Sequence, residues 1–511
     1  MTAVGSHGRR VGVSPGAGVI ARKESFETRW REPVGDLVGW FTRVGAGYGK
    51  PIDPPVAAML EAMYAVIVGA GEVGFHIATI LSQEGHEVAV IERDLEPFER
   101  AAQELDVLAV QGNGASRRVL ERVSMGRADL LVAVTDSDEV NMIACMAAKR
   151  VGVAQTIARV RNQDYIEDVR TLSTGFTGVD HVIQPEAAVA DEVDKLAGIP
   201  GALDVETFAG GQVWVVEVQV DPGNPAIGVP LRSLNLPPGV IATAILRDRS
   251  ATIPRGDSVL QAGDRVFLSG SPEGAVAASS QLSGHKEVPK KAMVLGCGEI
   301  GMGIALALEE RRMRLTVFEK DAARAAEAAG KLRRSLVLRD EGINETVLAA
   351  EGVASTDLFV AATGDDRLNI LSALMAKQMG AKRTVAIVER IEFSRVVESV
   401  GVDVAISPRR MTASAILRFV RSGRVISAAV LDKAAAEVLE FVVGRSSPVC
   451  GKKLAEVHFP AGAIVGAIVS ESGVRIPDGQ SQIDDGDVAV VFTVPESVRA
   501  VEKLFAPGPG R

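Results

Sequence analysis

From residue 64 onward the chain is built of short apolar runs, 65–68, 88–91, 107–110, 130–134, 156–160 and 181–183, separated by amphipathic segments of helical length. Continuous apolar runs of this kind read as strands buried on both faces, and strands alternating with helices form a parallel, doubly wound sheet. From about residue 196 to 282 the texture changes. Alternating runs such as 213–220 and 265–269 are broken by Pro225, Pro230, Pro237, Pro238, Pro254 and the pair Gly263-Asp264. Period-two alternation with frequent turn residues predicts a small α+β domain. Residues 283–291, SGHKEVPKK, read as a polar linker.

The second half retraces the first. Thr135-Asp136-Ser137-Asp138 with Asn141 is matched by Thr363-Gly364-Asp365-Asp366 with Asn369. A shift of 223 residues carries Gly178-Val179-Asp180 onto Gly401-Val402-Asp403, Pro225 onto Pro448, Pro254 onto Pro477 and Gly263-Asp264 onto Gly486-Asp487. A constant offset held over so many positions means that the whole unit is duplicated. The predicted architecture is α/β: two Rossmann-like doubly wound parallel-sheet domains at 63–190 and 290–413, each followed by a small α+β domain, at 196–283 and 425–507. Residues 1–62, with scattered glycine, proline and arginine and poor periodicity, are expected to be a poorly ordered extension. Met63, immediately ahead of the first strand, is a candidate start.

Composition narrows the function classes. A chain of 511 residues that is 47% hydrophobic and 24% charged has room for several cores of ordinary soluble domains. A net charge of -9 supplies no basic field, which argues against nucleic acid as a partner. Cys145, Cys297 and Cys450 lie far apart with no C-x-x-C spacing, so neither a disulfide framework nor a zinc module is expected, and a reducing cytosol is. No uncharged apolar run reaches the roughly 18 residues that span a bilayer, so any membrane association is expected to be peripheral.

The candidate chemistry sits directly after the first strand, at Gly69-Ala70-Gly71-Glu72-Val73-Gly74. Gly69 permits the turn, Gly71 lets the backbone approach a pyrophosphate, Gly74 lets the helix lie close on the sheet, and the helix N-terminus offers free N–H groups. Glu92, 23 residues after Gly69, is placed to accept hydrogen bonds from an adenosine ribose. The loop recurs as Gly296-Cys297-Gly298-Glu299-Ile300-Gly301, with Glu319 at the same spacing. Acids at Glu92 and Glu319 would repel a 2′-phosphate, which favours NAD(H), or ATP and ADP, over NADP(H).

The paired loops, the stretch from Leu130 through Val134-Thr135-Asp136-Ser137-Asp138-Glu139 with Asn141-Met142, the segment Ile157-Ala158-Arg159-Val160-Arg161, and the proline and Gly-Asp pattern of the small domains resemble the TrkA family. Its members carry RCK (KTN-type) nucleotide-binding domains, each followed by a TrkA-C domain. The resemblance implies a cytoplasmic regulatory subunit on the inner face of the cell membrane that gates a potassium-translocating Trk-type membrane subunit in response to NAD(H) and adenine nucleotides. It also implies self-association into a dimer or ring. On this resemblance Thr135 and Asp136 would border the nucleotide, and Arg159 would reach its phosphates or distal ribose. Plainer roles compete: Arg159 as a solvated strand end, and Thr135 and Asp136 as a helix N-cap. The halves differ, since Ile387 stands at the position of Arg159, and Arg339-Asp340-Glu341 is expected to answer the turn Gly112-Asn113-Gly114. The first site is therefore expected to bind the charged dinucleotide better.

Cys297 could be redox-sensitive if the helix N-terminus favours its thiolate, while Glu309-Glu310-Arg311-Arg312 reads as a solvated helix face. An NAD-dependent oxidoreductase is the rival class, and a regulator of potassium efflux or cation antiport is the alternative that keeps the ligand and changes the partner. None of Tyr48, Tyr64 and Tyr165 is followed four residues later by lysine, and there is no H-E-x-x-H and no cysteine-histidine metal spacing. No catalytic and no metal-ligating residue is expected.

Overall fold

The computed structural model describes residues 20–21, 63–171 without 84, 177–390 without 249, 393, 397, 399–420, 425–431 and 436–506. The chain forms two compact units, Met1–Ile183 and Gln184–Arg511.

The first unit holds the first doubly wound sheet. Its elements are β1 (Tyr64–Val68), α1 (Glu72–Gln83), β2 (Glu87–Glu92), α2 (Leu95–Glu104), β3 (Leu108–Gln111), α3 (Arg117–Arg122), β4 (Leu130–Ala133), α4 (Asp138–Arg150), β5 (Gln155–Arg159), α5 (Gln163–Thr171) and β6 (His181–Ile183). The six strands are parallel in the order β3-β2-β1-β4-β5-β6. In β1 all five residues are buried, as expected of a strand covered by helices on both faces. A two-residue strand, Ile20–Ala21, lies antiparallel against β3. The rest of the extension expected at 1–62 lies outside the described residues.

The second unit opens with α6 (Pro185–Gly198), started by Pro185 in its first turn. A small antiparallel sheet follows, made of β7 (Ala202–Phe208), β8 (Val213–Gln219), β9 (Val240–Arg247), β10 (Ser250–Thr252) and β11 (Arg265–Gly270) in the order β10-β9-β11-β8-β7, and closed by α7 (Pro272–Ser283). The second parallel sheet uses β12 (Lys291–Leu295), α8 (Glu299–Glu310), β13 (Arg314–Phe318), α9 (Ala322–Lys331), β14 (Leu336–Leu338), α10 (Glu345–Ala350), β15 (Leu358–Ala361), α11 (Asp366–Gln378), β16 (Thr384–Ile387) and β17 (Val404–Ile406). Its order, β14-β13-β12-β15-β16-β17, repeats that of the first. Then come α12 (Pro408–Val420) and a second small sheet of β18 (Val425–Leu431), β19 (Ala436–Val442), β20 (Ala463–Ser470), β21 (Gly473–Arg475) and β22 (Val488–Thr493), ordered β18-β19-β22-β20-β21, with α13 (Val498–Phe505) last. The α/β class, the two parallel sheets and the two small domains are as the sequence predicts.

One expected boundary falls elsewhere. The sequence predicts a first domain ending at 190 and the next beginning at 196, but α6 is unbroken across that interval. Val189, Val193, Leu196 and Ala197 recur at the spacing of one helical face, and they pack in one core with Ile304, Ala305 and Leu308 of α8. The helix thus belongs to the core of the second parallel sheet. Small residues set the approach, since a Cβ at Gly303 would lie 3.4 Å from that of Ala190.

Candidate functional site

The strand order of each parallel sheet reverses between its first and fourth strands, which opens a crevice at their carboxyl ends. Both glycine loops lie there. Gly69 takes φ of +102° and Gly296 φ of +91°, backbone that favours glycine. A Cβ at Gly74 would stand 1.9 Å from Gly69 O, and one at Gly301 2.1 Å from Gly296 O, so neither position has room for a side chain. The middle glycines behave differently: a Cβ at Gly71 or at Gly298 meets nothing within 4 Å. That open space leaves the loop backbone accessible at both positions. The first α-helical bonds run from Phe75 N to Gly71 O and from Met302 N to Gly298 O, both 2.8 Å. The amides ahead of them have no partner in the helical ladder, which leaves them as donors at the helix N-terminus.

The acids expected to hold a ribose are placed by the loops themselves. Glu92 accepts from Ala70 N at 2.6 Å and from Asp94 N at 2.9 Å. Glu319 accepts from Cys297 N and Asp321 N, each at 2.8 Å. Each carboxylate therefore ties the second residue of its glycine loop to the end of the next strand.

Thr135 and Thr363 close the opposite wall. Thr135 N donates to Asn141 Oδ1 at 2.9 Å, and Thr363 N to Asn369 Oδ1 at 2.9 Å. The fully buried Asn141 and Asn369 in turn donate to the carbonyls of Arg159 and Ile387, at 2.9 and 2.7 Å. Asp138 accepts from Arg161 N and Asn162 N, and Asp366 from Glu389 N and Arg390 N. The sequence alone assigns no role to Asn141, Asn369, Asp138 or Asp366. Their recurrence at fixed spacing from Thr135 and Thr363 is the signal that marks them. Neither Thr135 nor Asp136 is the N-cap of α4; that position belongs to Ser137, whose side chain accepts from Val140 N. Asp136 is exposed and sits 3.8 Å from Arg159 Nη1. Arg159 thus reaches the rim of the crevice, at the end of β5.

Residues 65–185 and 292–408 match the TrkA-N domain, and residues 215–282 and 438–506 match the TrkA-C domain. The chain belongs to the TrkA family. The Trk system potassium uptake protein TrkA homolog 2 of Methanosarcina mazei is 38% identical over 451 residues, which cover 87% of this chain and 100% of that protein. TrkA of Haemophilus influenzae is 33% identical over 454 residues, covering 87% and 99%. Among solved structures, the GsuK RCK domain superposes with a TM-score of 0.57 at 17% identity, covering 91% of this chain and 99% of that one. The GsuK channel bound to NAD gives 0.57 at 17% identity, covering 92% and 83%. At that identity the two likenesses are likenesses of fold.

Within this TrkA-family framework the halves diverge in charge. Ile387 is buried in the core and offers no cation, and Arg161 of the first half is answered by Glu389, which pairs with Arg409 at 2.9 Å. Burial pushes the Glu319 carboxyl up, but Arg324 at 2.9 Å, together with the N–H groups of Asp321 and Cys297, outweighs it and holds the carboxyl below the usual range. Pro97 stands at the matching place in the first half. Strand register also corrects one correspondence. Ile91 pairs with Val110 and Phe318 with Leu338, so Gly112-Asn113-Gly114 is answered by Asp340-Glu341-Gly342, one residue later than expected. Packing agrees: a Cβ at Gly114 would collide with Val68 and one at Gly342 with Leu295, the last residues of β1 and β12.

Cys297 is not activated. Burial, and next Glu319, push its thiol up to about 11, so the thiolate is disfavoured at neutral pH. The run at 309–312 is also more than a solvated face. Arg311 bonds Asp194 of α6 through Nε and Nη2, at 2.7 and 2.5 Å, and Glu309 accepts from Arg333 N and Arg334 N. Among the described residues no group of three or more His, Cys, Asp or Glu is placed to hold a metal, and no helix is long and apolar enough to cross a membrane.

Proposed function

We propose that this chain is a non-enzymatic regulatory subunit that senses NAD(H) and adenine nucleotides and gates a Trk-type potassium uptake subunit at the cytoplasmic face of the cell membrane, acting as a homo-oligomer, a dimer or ring. The single observation that carries the reading is that both halves keep an open glycine loop with a clamped acid, in a chain that matches Trk-named proteins along their whole length. When bound, the nucleotide supplies phosphate charge at the loop and ribose hydroxyls beside the acid. The backbone from Gly69 to Gly74 holds the phosphates, Glu92 takes the ribose, and Thr135, Asp136 and Arg159 line the far wall. Gly296 to Gly301 with Glu319 does the same in the second half, where the Arg324 pair must share the carboxylate. Because Glu92 also ties Ala70 and Asp94, a ligand hydrogen-bonded to it acts directly on the loop backbone. A ligand shifts a conformational equilibrium only through different affinity for the two states, and such a shared carboxylate gives it that handle.

Equilibrium titration with NADH, NAD, ATP and ADP tests the site. Gly71→Ala should melt as the parent does, because its methyl meets open space, and should lose about tenfold or more in affinity, as should Glu92→Ala. Unchanged binding of all four ligands by both variants would remove the first-site assignment. Potassium uptake by cells lacking the chain tests the partner: an undiminished rate would turn the reading toward efflux or antiport.

A further inference from the structure

The polar linker at 283–291 borders a cavity that the nucleotide sites do not use. It has a volume of ≈ 390 Å³ and is lined by Pro200, Gly201, His285, Lys286, Lys382 and Arg383, among others. Arg383 precedes β16 (Thr384–Ile387) and Asp357 precedes β15 (Leu358–Ala361), so the cavity lies at the amino ends of these parallel strands, opposite the glycine loop.

Arg383 is only 7% exposed. Its Nη1 donates to Leu196 O at 3.0 Å, while Nε and Nη2, both shielded from water, have no hydrogen-bond partner among the described residues. Those two nitrogens form one edge of the guanidinium, the fork that receives a carboxylate or phosphate through two parallel bonds. A buried charged donor left unmade is costly, so an empty bidentate edge calls for an acceptor. The nearby acids are engaged elsewhere, and Glu192, which also acts on Arg383, lies 3.5 Å from Lys195 Nζ. Asp403 is held by Lys377 Nζ at 2.7 Å and by Thr384 N at 2.8 Å. Asp357 is taken by Lys382 Nζ at 2.7 Å and by Lys290 N and Lys291 N. Glu287 pairs with Lys290 at 3.0 Å.

The feature is particular to the second half. Thr156 bonds Asp180 as Thr384 bonds Asp403, which fixes the alignment and places Gln155 opposite Arg383 and Ala154 opposite Lys382. The duplicated Asp129 and Asp357 are retained, and the cations are added. Burial lowers Arg383 only to about 10, so it remains a cation at neutral pH.

We infer that the cavity at Arg383 binds a small oxyanion, a phosphate group in preference to a carboxylate, held by the free edge of Arg383 with Lys286 and Lys382 at its mouth. Phosphate is favoured because it carries the greater charge against the cations of Arg383 and Lys286, Lys382 being already paired with Asp357.

The probe is inorganic phosphate, and the readout is the rate at which a limiting amine-acetylating reagent modifies individual lysines of the full chain, followed by mass spectrometry. At saturating phosphate, Lys286 and Lys382 should be protected about tenfold while Lys331, exposed elsewhere in the same domain, is unaffected. Arg383→Gln, the residue the first half carries at this place, should raise the phosphate concentration for half-protection about tenfold. Lys286→Ala, in the exposed linker, should weaken the protection of Lys382. The absence of protection in the parent, or equal protection in Arg383→Gln, would overturn the site. Protection by acetate as strong as that by phosphate would overturn the ligand class.

Discussion

Glu192 shows how far the surroundings of a residue outweigh its type. It lies on α6, nearly buried, 3.5 Å from Lys195 Nζ. Burial first, and then the charge of Asp204, push its carboxyl up to about 8 against the pull of Lys195. A folded value above the unfolded one means that the folded state holds a proton the unfolded state has released. Its stabilising contribution is complete below the unfolded value, is lost as pH rises through the interval up to about 8, and changes no further above it. Thermal melts from acid to mildly alkaline pH should show this loss in the parent. Glu192→Gln, neutral throughout, should remove that part of the slope and melt higher than the parent at pH above 8. Cys297 follows the same logic. A helix N-terminus would favour its thiolate, but desolvation and the neighbouring Glu319 prevail.

Among the elements, α6 has the widest consequences. Its apolar face, Val189, Val193, Leu196 and Ala197, completes the core of the second parallel sheet, while Arg311 holds its polar side through Asp194. Its final turn also supplies the carbonyl that Arg383 bonds. Leu196 is fully buried, so Leu196→Ala should cost about 2–5 kcal/mol in urea denaturation. Asp191→Ala, on the exposed side of the same helix, should change stability by no more than about 0.5 kcal/mol. Equal effects would mean that the helix does not pack as a core element. The glycine loops follow a different logic: Gly74 and Gly301 are dictated by the carbonyls of Gly69 and Gly296, which leave no room for a side chain, whereas Gly71 and Gly298 stand under open space.

At the scale of the molecule, the two small domains share a core. Phe208, Val213, Val215 and Phe267 of the first pack with Val438, Ala467, Val490 and Phe492 of the second. The duplication has been modified at this junction. Glu217 pairs with Arg265, whereas its counterpart Glu440 has Val488 at the corresponding place and accepts instead from Ala209 N of the first small domain, at 3.2 Å. With α6 joining the first small domain to the second parallel sheet and this core joining the small domains to each other, residues 184–511 form one unit. Expressed alone, that stretch should unfold in a single thermal transition, whereas residues 202–283 alone should show none, because the faces they bury on their neighbours would stand in water. Two resolved calorimetric transitions in 184–511 would show that the shared cores do not couple the domains.

The sequence by itself determined the α/β class, the duplication, the position of both glycine loops and the spacing of Glu92 and Glu319, because these depend on local periodicity and on residues close together along the chain. It also showed that Ile387 replaces Arg159. Tertiary structure alone decided that α6 serves the second sheet, that the turn after β3 is matched one residue later, that Ser137 caps α4, and that Cys297 is quiet. It alone brought Arg383 beside a linker about a hundred residues earlier and left one edge of its guanidinium without a partner. The reason is common to all of these: burial, register and the pairing of charges are set by neighbours distant in the chain, and a pattern read along the sequence carries no record of which neighbours those are.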